Sequence, residues 1–264
     1  MEHTFVLSVY QESPYLEACI QSLIGQTAKS KIIIATSTPT TYSQSIADQY
    51  NIPYYINDSQ VRGIANDWNF ALLKADTELV TIAHQDDVYD SRYTEVVTNA
   101  IKHNSAQKIQ IAFTNYSDLV NNELRSFSLN AFIKRSLLLP FIVSSVIRSS
   151  LLKKMILLFG DPICCPSVTF NMPELGDDFK FQPKYTCALD WYAWYELALR
   201  PGAFMYINKR LITHRIHPGS ETTNQLAKGL RQKEELELFE LMWGKRIAKL
   251  IARVYALGHK ENLQ

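Results

Sequence analysis

The chain has 264 residues, 47% of them apolar and 20% charged, enough apolar material for one large domain and too much for wholesale disorder. Its 27 Lys and Arg against 26 Asp and Glu give a formal charge of +1, so no global basic field calls for nucleic acid as a partner. Cys19, Cys164, Cys165 and Cys187 lack CxxC spacing and histidine neighbours at zinc-ligand distances, and read as reduced thiols of a cytoplasmic protein.

The first hundred residues alternate in kind. Phe5 to Tyr10 is a compact strand-like run, and Ser13-Pro14 supplies an N-cap and a proline for the helix that follows. Apolar residues then recur at Tyr15, Leu16, Cys19, Ile20, Leu23 and Ile24, the stripe of a helix lying on a sheet. Residues 31–35 read as a buried parallel strand, 43–50 as a helix, and 52–56 as a strand that Pro53 assigns to an edge. Residues 63–74 predict a third helix and 78–83 a fourth strand. Repeated strand–helix alternation predicts an α/β fold with right-handed crossovers.

Beyond Asp90 the pattern predicts a helix over 93–103, a strand over 109–113 and a polar loop over 115–123. Bases interleave with apolar residues over 132–159 and again over 225–257, and Asp190 opens a helix rich in aromatics. The N-terminus has no basic stretch followed by a long apolar one, and the apolar run 136–147, broken by Pro140, is too short to cross a bilayer.

Ligands of such sheets sit beyond the carboxyl ends of the strands. Those ends carry Glu12, Thr36 and the pair Asp86-Asp87. Adjacent acids at a strand end repel, and a divalent cation relieves the repulsion; a solvated turn is the alternative. Arg62 before Gly63 suits a diphosphate, or is a surface arginine beside a turn glycine. Asp190 suits a general base, with Trp191 and Trp194 stacking on a sugar face; a plain N-cap is the alternative. In an extended segment His217 projects opposite His214, so one imidazole of that pair faces a given ligand.

The order of these motifs resembles the family 2 glycosyltransferases. Phe5 to Glu12 looks like the opening strand and turn of that family, Leu16 to Thr27 like its first helix, and Gly63-Ile64-Ala65 with Asn69 like its Gly/Asn helix. His84-Gln85-Asp86-Asp87 looks like its Asp-x-Asp-Asp metal motif, and Leu189-Asp190-Trp191 and Arg215-Ile216-His217 like its later elements. The resemblance covers roughly residues 5 to 220. It implies the GT-A fold, a Rossmann-like mixed sheet flanked by helices, over residues 1–220 with an amphipathic acceptor-side insertion at 132–160. A helical C-terminal extension over 221–264 follows.

The resemblance also implies inverting transfer of a sugar from a nucleotide-sugar donor, with a UDP-sugar foremost, to a saccharide or lipid-linked acceptor in cell-surface polysaccharide synthesis. It implies Val9, Glu12, Thr36, Arg62, Asn69, Gln85 and Asp86 at the donor, Mn²⁺ or Mg²⁺ on Asp86, Asp87 and His217, and Asp190 as catalytic base. Trp191 and Trp194 would hold the acceptor. Three positions depart from the family's pattern: Thr36 and its neighbours stand where an Asp reads uracil, His84 replaces the first Asp of the metal motif, and Leu189 replaces a Glu.

The basic, apolar segments predict peripheral contact with the inner face of an anionic membrane; packing on the sheet domain or on a second protomer of a homodimer competes with it. Two other functions stand beside the transferase: a nucleotidyltransferase, against which the acidic, glycine-free Tyr10-Gln11-Glu12-Ser13 loop counts, and an inactive carbohydrate-binding protein of the same fold.

Overall fold

A computed structural model describes residues 1–120, 123–125, 129–217 and 229–259. Strands β1 (His3–Val9), β2 (Lys31–Thr36), β3 (Tyr54–Ile56) and β4 (Leu79–His84) alternate with helices α1 (Leu16–Ile24), α2 (Thr41–Gln49) and α3 (Ile64–Lys74). Then come β5 (Val88–Tyr89), α4 (Tyr93–His103), β6 (Ile109–Val120), β7 (Glu123–Leu124), α5 (Leu129–Leu137), β8 (Val146–Ile147) and α6 (Ser150–Met155). The chain finishes with β9 (Val168–Asn171), α7 (Met172–Leu175), α8 (Leu189–Leu199), β10 (Ala203–Ile216) and α9 (Leu230–His259).

One mixed sheet runs β3-β2-β1-β4-β9-β6-β10-β5, with β7 on β6 and β8 on β10. Strands β3, β2, β1 and β4 are parallel, and β9 is antiparallel to both of its neighbours. The continuous apolar runs of β1 and β2 follow from burial on both faces. On one face α1, α2 and α4 set Leu16, Ile20, Ile46, Val97 and Ile101 into the core; on the other, α3, α8 and α9 contribute Trp68, Trp194 and Phe239. The mixed sheet with helices on both faces is the expected fold, and β3 stands at the sheet edge as Pro53 implied.

Three local expectations need correction. Helix α1 begins at Leu16, because Ser13 and Pro14 form a preceding turn whose Ser13 carbonyl accepts the Leu16 amide. The polar stretch 115–120 is strand, the outer half of β6, since residues 210–216 of β10 pair with it. The segment 132–159 is broken at Pro140 into α5, a 3-10 turn at Leu139–Ile142, β8 and α6, because proline withholds a helical donor. The domain boundary expected at 220/221 lies outside the described residues.

Helix α8 is held at both ends by charges remote in sequence. Ala188 at its N-cap offers no side-chain acceptor. The buried Glu234 carboxylate of α9 accepts the amides of Thr186, Cys187 and Ala188 at 2.9, 2.7 and 3.0 Å instead. At the other end the buried Lys153 ammonium donates to the carbonyls of Leu197, Arg200 and Gly202 at 3.1, 2.8 and 3.0 Å, and to Gln110 Oε1. Glu234→Ala leaves three buried amides without a charged acceptor. It is expected to cost about 3 kcal/mol, read as a fall of roughly 6–12 °C in Tm by differential scanning calorimetry. A fall under about 2 °C would show that the cap is dispensable.

Candidate active site

The carboxyl ends of β1, β4 and β10 converge. Gln85, just past β4, ties the first loop down: its amide donates to the Tyr10 carbonyl at 2.9 Å, and its Oε1 accepts the Tyr10 amide. The Asp86 carboxylate meets His217 Nε2 at 3.1 Å. Asp87 is 1% exposed; its Oδ1 accepts the Arg215 amide at 2.9 Å, and its Oδ2 is buried without a hydrogen-bond partner among the described residues. The Arg215 guanidinium donates to the Asp86 carbonyl and lies 4.3 Å from the Tyr15 ring centroid, whose edge meets His217.

His84 closes this cluster. Its ring stacks on Trp68 at 5.4 Å and its Nε2 is buried with no partner. Ligand atoms of His84, Asp86 and Asp87 lie within 4.8 Å of one another. An orphaned buried carboxylate oxygen and an orphaned imidazole nitrogen beside a second acid form a donor set that fits a divalent cation. Burial drives His84 down to about 4 and leaves it a neutral donor. Burial pushes Asp87 up to about 7, against the pull of His214. For His214 burial acts downward, but Asp87 and Asp118 outweigh it and carry the imidazole up to about 9.

His214 Nδ1 sits 3.3 Å from Asp118, on the outer half of β6. The two imidazoles of the 214–217 segment thus meet different carboxylates, His214 that of Asp118 and His217 that of Asp86.

Asp190 sits in the first turn of α8, where its Oδ1 accepts the adjacent Trp191 amide at 2.8 Å. Ala188 holds the N-cap position, so Asp190 is not the N-cap, although its carboxylate serves a first-turn amide. Burial raises its pKa. The same effect, reinforced by Asp190, lifts Asp161 far above the ordinary carboxylate range. Lys134 and Arg231 act on both groups from α5 and α9. Burial is the main cause that raises the Cys165 thiol, with the charge of Asp190 adding to it.

The other expected donor residues line the neighbouring strand ends. Val9 ends β1 opposite Thr36 of β2. Thr36 is 2% exposed and its hydroxyl accepts the Thr38 amide, while Thr38 Oγ1 accepts the amide of Gln11. Beside it Ser37 donates to the Asp67 carboxylate at 2.8 Å, which brings an acid to that strand end. Arg62 donates to the carbonyls of Ser37 and Asn57, and Glu12 is exposed in the β1–α1 loop.

Three expected contacts meet side chains already in use. Both amide atoms of Asn69 are bonded to the Phe181 backbone at 2.8 Å, so it anchors a loop. Trp191 is 2% exposed and donates to the Leu157 carbonyl, and Trp194 is 0% exposed. Neither ring is free to stack on a sugar, because both fill the core between the sheet and α9. The sequence reading missed Asp118, Asp161 and Lys134 as site groups, and of the His214–His217 pair it chose His217; the Gly160-Asp161-Pro162 turn signal was the local clue to Asp161.

The sequence model of the family described as Glycosyl transferase family 2 matches residues 4–156, more than half of the chain. The chain belongs to that family. Among solved structures it resembles S. aureus TarS at 14% identity and a TM-score of 0.63, covering 98% of this chain and 43% of that one. It thus spans less than half the length of full TarS. Residues 1–349 of TarS in complex with UDP-GlcNAc match at 15% identity and a TM-score of 0.65, over 98% of this chain and 72% of that one. Mannosyltransferase PcManGT from Pyrobaculum calidifontis, in complex with GDP-Man and Mn²⁺, matches at 14% identity and a TM-score of 0.61, over 96% and 73%. A comparison with curated proteins gives no match. These structural likenesses establish the GT-A fold.

Proposed function

We propose that the protein transfers a sugar from a nucleoside-diphosphate sugar, a UDP-sugar foremost, to a hydroxyl of a saccharide or lipid-linked acceptor, with inversion at the anomeric carbon. The observation that carries this reading is the cluster of His84, Asp86 and Asp87, with its two orphaned buried atoms, at the carboxyl end of β4. His84, Asp86, Asp87 and His217 would hold a divalent cation, which supplies neutralisation of the charge building on the leaving diphosphate. Two imidazoles in that set favour Mn²⁺ over the oxygen-loving Mg²⁺. The TarS complex with UDP-GlcNAc and the mannosyltransferase complex with GDP-Man and Mn²⁺ support the donor and cation classes.

The chain's own groups account for the rest. Arg215, fixed over Tyr15, places a guanidinium beside Asp86 where diphosphate oxygens would lie. The acceptor oxygen attacks the anomeric carbon as the bond to the diphosphate breaks, and its proton passes to Asp190. Burial brings the pKa of Asp190 upward, toward that suited to a base at neutral pH. Burial and the charge of Asp190 raise Asp161 well above the ordinary carboxylate range as well.

Contact with an anionic inner membrane face belongs to the same reading. Leu139, Ile142, Val143 and Leu151 are 56%, 77%, 92% and 64% exposed around the exposed Arg148. Among the described residues no helix is long and apolar enough to cross a membrane. A homodimer through these exposed apolar residues is the competing use of them, separable by sedimentation in the absence of lipid.

Thermal unfolding with UDP and GDP, each with and without Mn²⁺ or Mg²⁺, tests the proposal. UDP with Mn²⁺ is expected to raise Tm by several degrees, more than with Mg²⁺ and more than either component alone. No stabilisation by any nucleoside diphosphate in the presence of Mn²⁺ would count decisively against it.

A further inference from the structure

A second charged cleft lies beside the site, bounded by the outer half of β6, the bulged part of β10 and α5. It is lined by Arg125, Lys134, Arg135 and Arg210, with Asp118 as its sole carboxylate among the described residues. Asp118 is committed to His214. None of the four cations forms an ion pair among the described residues, and Arg135 and Arg210 are exposed. Four cations against one lining carboxylate leave an excess of positive charge, which favours an anion in the cleft.

The local backbone serves this concentration. Register between β10 and β6 jumps from Ile207↔Thr114 to Arg210↔Asn115, inserting two residues in β10. A bulge gives up ladder bonds and re-aims the side chains around it. This one sets Arg210 opposite Asn115 at the cleft. Lys134, 3.4 Å from the Tyr116 hydroxyl, exerts its charge on both Asp161 and Asp190. Pro162, next in sequence to Asp161, lines the cleft, and Asp118 connects it through His214 to the end of β10, where the Arg215 amide meets Asp87.

We propose that this cleft binds phosphate groups of the acceptor, so that the substrate receiving the sugar is a phosphate-bearing molecule. The inference rests on the transferase reading for the word acceptor; the binding site itself does not. Guanidinium groups engage phosphate oxygens in pairs, and several in one cleft suit more than one phosphate. Two sources share this chemistry: a water-soluble phosphodiester chain and a lipid-linked diphosphate.

The test uses the full chain saturated with UDP and Mn²⁺, so that the donor's diphosphate site is filled. Binding of a short oligo(glycerol phosphate) is measured by calorimetry, and binding of phosphatidylcholine vesicles with and without a polyprenyl diphosphate by co-sedimentation. At least one phosphate probe should bind in a salt-sensitive manner. The double variant R135Q/R210Q should bind it about 10-fold or more weakly, from the loss of two charge-assisted contacts, with unchanged UDP affinity and Tm. The variant R135K/R210K should recover part of the loss.

Binding of the oligomer identifies a phosphodiester chain; binding of the diphosphate vesicles alone identifies the lipid. Failure of both probes, or equal binding by R135Q/R210Q, overturns the proposal. Failure of UDP to bind while a phosphate probe does would count against the transferase reading and leave the cleft standing.

Discussion

Replacing Asp190 by asparagine is expected to lower turnover by about 10³-fold while leaving UDP affinity within about twofold. Asparagine keeps an oxygen for the Trp191 amide, which now meets Asp190 Oδ1 at 2.8 Å, so α8 retains its first turn. What disappears is the carboxylate that takes the acceptor's proton. Burial raises the pKa of Asp190 above its ordinary value, so the acid limb of the wild-type rate profile should lie above the usual aspartate range, and the variant's residual rate should lack that limb.

The same shift fixes a sign for stability. A carboxyl whose folded pKa is raised favours the folded state at low pH, and that contribution is lost as pH rises through the folded value. Asp190→Asn should therefore be at least as stable as wild type at neutral pH and should gain on it as pH rises across that window. Activity retained within about threefold would remove Asp190 from the chemistry. Parallel loss of UDP binding and folding would show it to be structural. A non-catalytic binding protein would show no wild-type turnover to lose.

The second large effect concerns Asp87. Asp87→Asn should weaken Mn²⁺ binding by at least about 100-fold, the upper range for groups that merely support a ligand. Electron paramagnetic resonance of free Mn²⁺ during titration measures this directly, without a turnover assay. The Oδ1 bond to the Arg215 amide can persist in the variant, so the end of β10 should hold its place. Removing one of two adjacent like charges relieves repulsion, so the metal-free variant should unfold no earlier than wild type. Wild-type Mn²⁺ affinity in Asp87→Asn would show that the orphaned Oδ2 faces no cation.

Some of this architecture was legible before any coordinates. Residues 32–35 carry the uninterrupted apolar run that burial on both faces demands, whereas the Thr40–Ser43 cap that starts α2 two residues before the expected position was not read. The placing of Asp86 and Asp87 at the end of a strand followed from element order. The outer half of β6 was not legible, because its polar sequence matches a loop and becomes strand only where β10 pairs with it. Trp191 and Trp194 looked like sugar-stacking rings because pattern does not say which face of α8 the C-terminal helix covers.

The sequence by itself determined the alternation of elements, the end of the sheet at which ligands gather, and the carboxylates available there, since periodicity, caps and strand-end positions are local properties. Only the tertiary structure decided that Glu234 holds the turn before α8, that His214 meets Asp118, and that Asn69 is spent on a loop. Those outcomes depend on partners 46 or more residues away, as for Ala188 with Glu234. A buried polar atom takes whichever partner packing brings to it, and no local pattern records that choice.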